Sequence, residues 1–313
     1  MLKRSIPLFF SVALSAPAAV GAGAAYENIR TEIGYIDVAP DITLRRMVSH
    51  SPNPKGTVLF LHGFPETLLV WKDIAAELAK DYEVHAIDWP GYGLSSRPEP
   101  TKFSYSPRDY ADVLAAYIKA ARINRSELTI YATDIGSLPA LLAAIKEPAI
   151  ARKIVVGDFA PFNRPQYMYE SLQNLKGEPA ASKTRMYMNE TSAEILANVY
   201  RRGLPPERQF DLPADVLKDM TQGWEQCGIT SADAFYHYYS YFTRDQDHLE
   251  AHLGELKTPV KVVWGENDLY IKKAMGEEFA RRAGATLTVL PGIGHYPHLQ
   301  TPQDTVAEIR AAN

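Results

Sequence analysis

Residues 128–137, which read LTIYATDIGS, constrain the fold of this chain more than any other segment. An apolar, partly β-branched run at 128–131 is typical of a buried strand, and the Leu- and Ala-rich pattern at 138–145 is typical of a helix. Small residues stand two positions before and two positions after Asp134, as a sharp strand-to-helix turn requires. The segment therefore predicts a strand, a tight turn that exposes the Asp134 side chain, and a helix.

The carboxylate of Asp134 at the tip of this turn can be interpreted in two ways. In the serine version of this turn the exposed residue is a nucleophile, and an aspartate in its place can attack carbon and form an ester. Ser137 does not fit that role, because Ile135 would then occupy a position that needs a small residue. The alternative is that Asp134 only caps the helix that follows it.

Length and charge limit the kind of protein and the kind of partner. A chain of 313 residues with 46% apolar content can bury one large core, so we expect a single catalytic unit with an inserted subdomain. The net charge of -4 and the absence of a Lys/Arg block favour neither nucleic acid nor a membrane as a partner. We expect a small, mostly apolar molecule as the substrate.

The first 25 residues have the pattern of a signal peptide. Lys3 and Arg4 are followed by an apolar run at 6–14, which is too short to span a bilayer, and by small residues up to Ala25. This predicts cleavage near Ala24 and a secreted or periplasmic protein, although an amphipathic N-terminal helix is the alternative. Cys227 is the only cysteine, so no intramolecular disulfide is available to stabilise the fold.

The order of predicted strands and helices indicates an α/β fold. Strands alternate with helices up to residue 160 and again after 256, which predicts a mostly parallel eight-stranded sheet with helices on both faces. Residues 26–160 and 257–313 would form this core, and the helical, tyrosine-rich segment 161–256 would form an inserted cap. The predicted strands are 30–37, 42–49, 57–61, 82–87, 128–131, 153–157, 259–264 and 286–290.

Two further residues complete a candidate catalytic triad with Asp134. Asp268 and His295 follow the last two predicted strands, and the carboxyl ends of parallel strands meet at one edge of a sheet. Hydrolysis of an ester needs a base with a pKa near neutrality, which histidine supplies, and a carboxylate that fixes its tautomer. Taken singly, His295 could be an ordinary loop residue and Asp268 a turn former.

Hydrolysis of that ester also needs donors for the oxyanion that forms on its carbonyl. The backbone N–H of Ile135, next to the nucleophile, is one candidate, and the N–H of Phe64 is the other. Phe64 belongs to the sequence HGFP that follows an earlier strand, and a simple turn is the alternative interpretation of that loop.

Five motifs resemble those of the α/β-hydrolase superfamily, and within it the branch of epoxide hydrolases and dehalogenases that use an aspartate nucleophile. The resemblance covers essentially all of the chain after residue 25 and implies the α/β-hydrolase fold with a helical cap, together with hydrolysis that needs no cofactor or metal. The motifs are HGFPET at 62–67, DWPGYGLSS at 88–96, TDIG at 133–136, WGEND at 264–268 and GH at 294–295.

The resemblance also implies where a leaving-group acid would lie. Epoxide hydrolases use cap tyrosines that donate to the epoxide oxygen, and Tyr239 best matches the second of these. The position of the first holds Thr184, with Tyr187 one turn later, so the second donor is Tyr187 or is missing. Ordinary packing is the alternative for the other cap tyrosines.

Two alternatives remain open within the branch. Dehalogenases hold halide through residues that correspond here to Ile135, Phe64 and Gly136, and none of these matches a halide arrangement. Some family members place the triad acid one strand earlier, where this chain has Asp158 instead of Asp268. The sequence therefore favours an epoxide hydrolase, with a hydrolytic dehalogenase or a catalytically silent binding protein as alternatives.

Overall fold

The computed structural model describes residues 30–226 and 228–312. The signal peptide predicted for residues 1–25 and the side chain of Cys227 lie outside the described residues. Within the described part of the chain, no helix is both long and apolar enough to cross a membrane.

One eight-stranded sheet forms the centre of the described chain, in the order β1-β2-β4-β3-β5-β6-β7-β8. β1 pairs with β2 and β2 with β4 in antiparallel register, and every other pairing is parallel. This confirms the predicted α/β-hydrolase fold. The strands are β1 (Arg30–Ala39), β2 (Ile42–His50), β3 (Thr57–Leu61), β4 (Glu83–Ile87), β5 (Leu128–Thr133), β6 (Lys153–Gly157), β7 (Val260–Gly265) and β8 (Thr286–Leu290).

Twelve α-helices are described. The first three and the last three accompany the sheet, and the other six lie between β6 and β7, together with several short 3-10 turns. They are α1 (Lys72–Leu78), α2 (Pro107–Ala120), α3 (Ser137–Lys146), α4 (Glu170–Asn174), α5 (Ala180–Glu190), α6 (Ser192–Asn198), α7 (Ala214–Trp224), α8 (Ser231–Ser240), α9 (Phe242–Ala251), α10 (Lys273–Ala283), α11 (Pro297–Gln300) and α12 (Pro302–Ala312).

Burial explains which strands are central. All six residues of β5 and four of the five in β3 are buried, as expected for parallel strands with helices on both faces. β1 instead alternates between exposed and partly buried residues, because it is the edge strand. The candidate site therefore lies at the end of the most buried strands.

The loop after β4 and the loop after β3 are joined by hydrogen bonds. Asp88, which is fully buried after β4, accepts from the N–H groups of Leu68 and Leu94 at 2.6 and 2.9 Å. Trp89 N–H donates to Nε2 of His62 at 3.2 Å. These bonds hold the two loops together at the carboxyl edge of the sheet, where the candidate site is formed.

The helical segment between β6 and β7 covers that edge. Phe235 on α8 stacks on Phe64 with ring centroids 4.1 Å apart, and the Tyr238 hydroxyl donates to the carbonyl of Ile135 at 3.1 Å. The cap is thus packed directly on the loop after β3 and the turn after β5.

Candidate active site

The turn after β5 has the strained geometry that a nucleophile elbow requires. Asp134 has a φ of 46°, a value that non-glycine residues rarely adopt. A Cβ on Gly136 would lie 2.9 Å from the carbonyl oxygen of Leu61, so only glycine fits there. Ser137 is fully buried and its hydroxyl donates to the carbonyl of Ala132 at 3.0 Å, which directs it away from the site.

The Asp134 carboxylate lies against the loop after β3. Its Oδ1 accepts from the N–H of Phe64 at 2.7 Å, and 15% of its side chain is exposed. The two chain segments approach so closely that a Cβ on Gly63 would lie 2.7 Å from the Cβ of Asp134. Ile135 follows in the same 3-10 turn as Asp134 and is buried. The structure thus brings both predicted oxyanion residues next to the carboxylate.

Buried side chains hold the peptide groups of this loop in place. Glu66 accepts from the Gly63 N–H at 2.9 Å with one oxygen and bonds Nε2 of His298 at 2.6 Å with the other. The Tyr296 hydroxyl donates to the carbonyl of Phe64 at 3.0 Å. Because two bonds fix the backbone at Gly63 and Phe64, and His298 holds the Glu66 side chain, the Phe64 N–H is held in position for an acceptor at Asp134.

His295 lies between two carboxylates. Its Nδ1 is 2.8 Å from Oδ2 of Asp268, and its Nε2 is 3.5 Å from Oδ2 of Asp134. The other oxygen of Asp268 accepts from the backbone N–H groups of Tyr270 and Ile271 at 2.8 and 3.0 Å. The three predicted triad residues therefore meet, with Asp268 bonded directly to the imidazole.

Asp158 also lies at this edge, but its role in the arrangement differs. It is buried after β6, has a φ of 51°, and accepts from the Gly265 N–H at 2.9 Å. Burial and the neighbouring Asp268 carboxylate raise the pKa of Asp158 well above its usual value. The raised pKa favours the protonated form of Asp158, whereas Asp268 is the carboxyl group that contacts the imidazole.

The charge on His295 depends on its two carboxylate neighbours. Burial lowers the pKa of His295, but Asp268 and Asp134 outweigh that effect and raise the pKa well above the usual value. The two neighbouring carboxyl groups therefore favour the imidazolium form of the ring.

The same residues form a group of potential metal ligands. Within the described ranges, Asp158, Asp268 and His295 are the one set whose ligand atoms lie within 4.8 Å of one another. Nδ1 of His295 is engaged with Asp268, and the raised pKa of Asp158 disfavours the anionic form that a metal needs. The donor chemistry therefore fits a hydrogen-bonded triad better than a metal site.

A cavity of about 260 Å³ opens above the triad, and its wall is mainly apolar. This volume lies just below the usual range of small-molecule pockets. Asp134 and His295 form its floor, and residues from the loops and the cap form the rest. The cap residues and loop residues that line it are Phe64, Tyr169, Ser171, Leu172, Leu175, Thr184, Tyr187, Met188, Ile195, Val199, Arg202, Phe235, Tyr270 and Tyr296.

Comparison with known protein families shows to which family this chain belongs. Residues 58–309 match the alpha/beta hydrolase family. This chain belongs to that family. The resemblance of the motifs to the α/β-hydrolase superfamily is thereby confirmed.

The proteins similar to this α/β-hydrolase have names that indicate several different activities. A 2-(acetamidomethylene)succinate hydrolase of Mesorhizobium japonicum is 25% identical over 259 residues, which cover 80% of this chain and 86% of that protein. Epoxide hydrolase 3 of Xenopus tropicalis is 22% identical over 297 residues, which cover 88% and 76%. The haloalkane dehalogenase DbeA from Bradyrhizobium elkani USDA94 has a similar structure, with a TM-score of 0.68, 20% identity, and coverage of 91% and 100%. The structural likeness shows the fold.

The predicted cap tyrosines of the α/β-hydrolase occupy different environments. Tyr239 is buried on α8 and lines a second cavity of about 10 Å³ that also contacts Asp134 and Ile135. Tyr187 on α5 is 55% exposed and lines the larger cavity together with Thr184. Tyr239 is therefore enclosed beside the carboxylate, whereas Tyr187 lies on an open wall.

Motifs alone do not identify three other residues of the cavity. Tyr296 could have been suspected because it directly follows His295, but its bond to Phe64 depends on the fold. Tyr270 contacts the His295 ring at a centroid distance of 5.1 Å, and Arg202 comes from the cap. The position of Arg202 depends on the packing of several short helices, for which the sequence has no clear signal.

Proposed function

We propose that this α/β-hydrolase opens an epoxide to a vicinal diol through a covalent ester on Asp134, without a cofactor. The position of the Asp134 carboxylate supports this most, because it lies between the N–H of Phe64 and Nε2 of His295. A carboxylate placed in this way can attack carbon, and the imidazole beside it can then activate water. The mainly apolar cavity suits a small, mostly apolar epoxide.

The two oxygens of Asp134 have different roles in the first step. Oδ1 accepts from the Phe64 N–H, while Oδ2 faces His295 and is free of that bond. Oδ2 therefore forms the new bond to an epoxide carbon, and Oδ1 becomes the carbonyl oxygen of the ester. The carbon–oxygen bond of the ring breaks, and the ring oxygen leaves as an alkoxide that needs a proton.

Tyr239 supplies that proton. Burial and the negative charge of Asp134 raise the pKa of Tyr239 well above its usual value, so the phenol carries its proton at neutral pH. Its hydroxyl makes no hydrogen bond to another residue within the described ranges, and its side chain lines the small cavity that also contacts Asp134. Tyr187 is the candidate for the second donor, since it lines the cavity.

Water completes the reaction in the second step. His295 takes a proton from a water molecule, and the water oxygen attacks the ester carbonyl carbon. The N–H groups of Phe64 and Ile135 stabilise the oxyanion at Oδ1. Collapse of this intermediate breaks the bond between the carbonyl carbon and the substrate oxygen, and that oxygen takes the remaining water proton from the new carboxyl group. The diol is released, Asp134 is again a carboxylate, and the proton on His295 returns to the Tyr239 phenolate.

Mass spectrometry tests the covalent step directly. His295→Gln should accumulate an ester whose added mass equals that of the epoxide and maps to the peptide containing Asp134. Asp134→Ser is the matched control and should carry no adduct. A single turnover of the wild type in heavy-oxygen water should place the label in Asp134 and not in the first diol. Failure to detect an adduct with any epoxide of a broad panel would count heavily against the proposal.

A hydrolytic dehalogenase is the second candidate, because it would use the same nucleophile and because the fold resembles that of a haloalkane dehalogenase. Ile135, Phe64 and Gly136 offer no halide-binding side chain of the usual kinds at the corresponding positions. Release of chloride or fluoride from a haloalkane or haloacetate panel tests it. A silent binding protein, suggested by Thr184, would be inert to both panels and still bind a ligand.

We also propose that residues 1–25 direct the protein to the periplasm or out of the cell, on the basis of their basic, apolar and small-residue order. N-terminal sequencing of the protein from the periplasmic or secreted fraction should find a start near Ala25. Retention of Met1 in that fraction would contradict this.

A further inference from the structure

Arg202 is the cationic residue of the cavity that the proposed reaction does not use. It follows the 3-10 turn Val199–Arg201 and lines the same cavity as Asp134 and His295. Among the described residues that line this cavity, Arg202 is the one guanidinium, and none is a lysine. A cation in a mainly apolar wall indicates that the cavity receives a molecule with a polar or anionic end.

The existing partner of Arg202 uses only part of its hydrogen-bonding capacity. Nη2 donates to both carboxylate oxygens of Glu194, at 2.9 and 3.2 Å. Neither bond uses Nε or Nη1, and a guanidinium offers five N–H donors. The pair is partly solvated, with side-chain exposures of 36% for Arg202 and 47% for Glu194, and such ion pairs are weak. Glu194 therefore leaves Arg202 able to bind a second acceptor.

Tyr270 connects this cation to the reactive centre. Its ring contacts the His295 ring at a centroid distance of 5.1 Å, and its hydroxyl donates to the carbonyl of Val199 at 3.1 Å. Burial raises the pKa of Tyr270, and the Arg202 charge opposes this rise. Tyr270 thus links the His295 ring to the chain segment that carries Arg202.

Tyr169 closes the same end of the cavity. Its ring contacts the Tyr270 ring at a centroid distance of 5.8 Å, and both line the cavity beside Arg202. Most of the remaining wall is formed by apolar side chains, so Arg202 stands out as a charged group on that wall. The apolar residues are Leu172, Leu175, Met188, Ile195, Val199 and Phe235.

We propose that Arg202 binds a carboxylate of the substrate, so that the preferred substrates are short epoxides carrying an acid group. This rests on the proposed function. Arginine is suited to the task because its planar fork matches a carboxylate and remains charged at any working pH.

Electrostatics at the floor of the cavity make such a cation necessary for an anionic substrate. The triad places two carboxyl groups around one imidazole, an arrangement that disfavours the approach of a further carboxylate. Arg202, on the wall of the same cavity, offsets that repulsion. A neutral substrate of the same shape is neither repelled by the triad nor attracted by Arg202.

Turnover of matched acids and esters tests the inference. The assay compares a homologous series of terminal epoxy acids with their methyl esters. For wild type, kcat/KM should favour the acid at one intermediate chain length. Arg202→Gln should raise KM for that acid roughly 10-fold to 100-fold, as expected for lost charge-assisted hydrogen bonds, with little change for the ester.

Two further variants separate recognition from a structural role. Glu194→Gln removes the competing carboxylate, so it should lower KM for the acid and leave the ester unchanged. If the ion pair between Arg202 and Glu194 were only structural, Arg202→Gln and Glu194→Gln would each impair turnover of the acid and of the ester to the same extent. Arg201→Gln is the matched control, because Arg201 is the adjacent arginine, pairs with Asp211 and does not line the cavity.

Binding of an unreactive probe tests whether Arg202 recognises a carboxylate without requiring any turnover. Calorimetry should show that hexanoate binds wild type more tightly than hexanamide, and that Arg202→Gln abolishes the difference. Equal binding of the two probes, or no effect of Arg202→Gln, would overturn the role of Arg202. Preferred hexanoate binding without turnover of any epoxide would instead contradict the proposed reaction.

Discussion

Nε2 of His295 lies 3.5 Å from Oδ2 of Asp134, on the ring edge opposite the bond to Asp268. The negative charge of Asp134 is one of the two that raise the pKa of His295. Esterification removes this charge, so the pKa of His295 falls once the nucleophile is alkylated. The imidazole therefore becomes an effective base only in the ester intermediate, where a base is needed.

This relationship predicts different pH dependences for the two steps. Attack by Asp134 proceeds while His295 is protonated, whereas ester hydrolysis requires neutral His295 and should accelerate as pH rises through its pKa in the intermediate. We expect the ester fraction in wild type to be largest at acidic pH and to fall as pH rises. Rapid-quench mass spectrometry measures the ester fraction. An ester level that does not change with pH would contradict the coupling.

The positions of Asp268 and Asp158 predict unequal effects on turnover. Asp268→Asn removes the charge that stabilises the imidazolium and should lower kcat about 10²-fold to 10⁴-fold. Asp158→Asn preserves the shape of a carboxyl group whose raised pKa favours the neutral form, so most of the turnover should remain. If Asp158→Ala abolished turnover while Asp268→Ala kept it, the acid of the triad would be Asp158.

The raised pKa of Asp158 also predicts that the stability of the folded protein depends on pH. Its pKa is raised in the folded protein, so the native state holds a proton that the unfolded chain releases above about pH 4. Its contribution to the free energy of unfolding is therefore full at acidic pH and is lost as pH rises toward the folded pKa. We expect the free energy of unfolding, measured by urea denaturation, to fall between about pH 5 and pH 8, and to fall less for Asp158→Asn than for wild type. Equal losses would indicate that Asp158 is ionised.

The sequence predicts the core of this protein well because local patterns determine it. The apolar runs of β3 and β5 and the small residues around Asp134 specify strands and turn without help from the cap. Asp268 and His295 follow successive strands, so the sheet brings them together. Arg202 and Tyr187 depend on how short cap helices pack, and neither periodicity nor turn chemistry specifies that packing.

Enclosure of Tyr239 beside Asp134 predicts that it matters more than Tyr187. Tyr239→Phe removes the buried proton donor and should lower the rate of ester formation roughly 10²-fold, at the lower end for general acids. Tyr187→Phe changes an exposed phenol on the cavity wall and serves as the matched control, with a smaller loss. Stopped-flow measurement of ester formation distinguishes them. A larger effect for Tyr187 would reverse the assignment of the principal donor.

We predict that Gly63→Ala impairs ester formation even though the protein still folds. A Cβ at this position would lie 2.7 Å from the Cβ of Asp134 and 2.9 Å from its Oδ1, so Gly63→Ala must displace the nucleophile or the Phe64 N–H. Overpacking of this kind costs about 1–3 kcal/mol in stability. Gly34→Ala on β1 is the control, because nothing lies within 4 Å of its added Cβ. Ester formation by each variant, measured well below its unfolding temperature, should fall sharply for Gly63→Ala and remain unchanged for Gly34→Ala. Normal ester formation by a folded Gly63→Ala protein would show that the close approach of the two segments is not needed for attack.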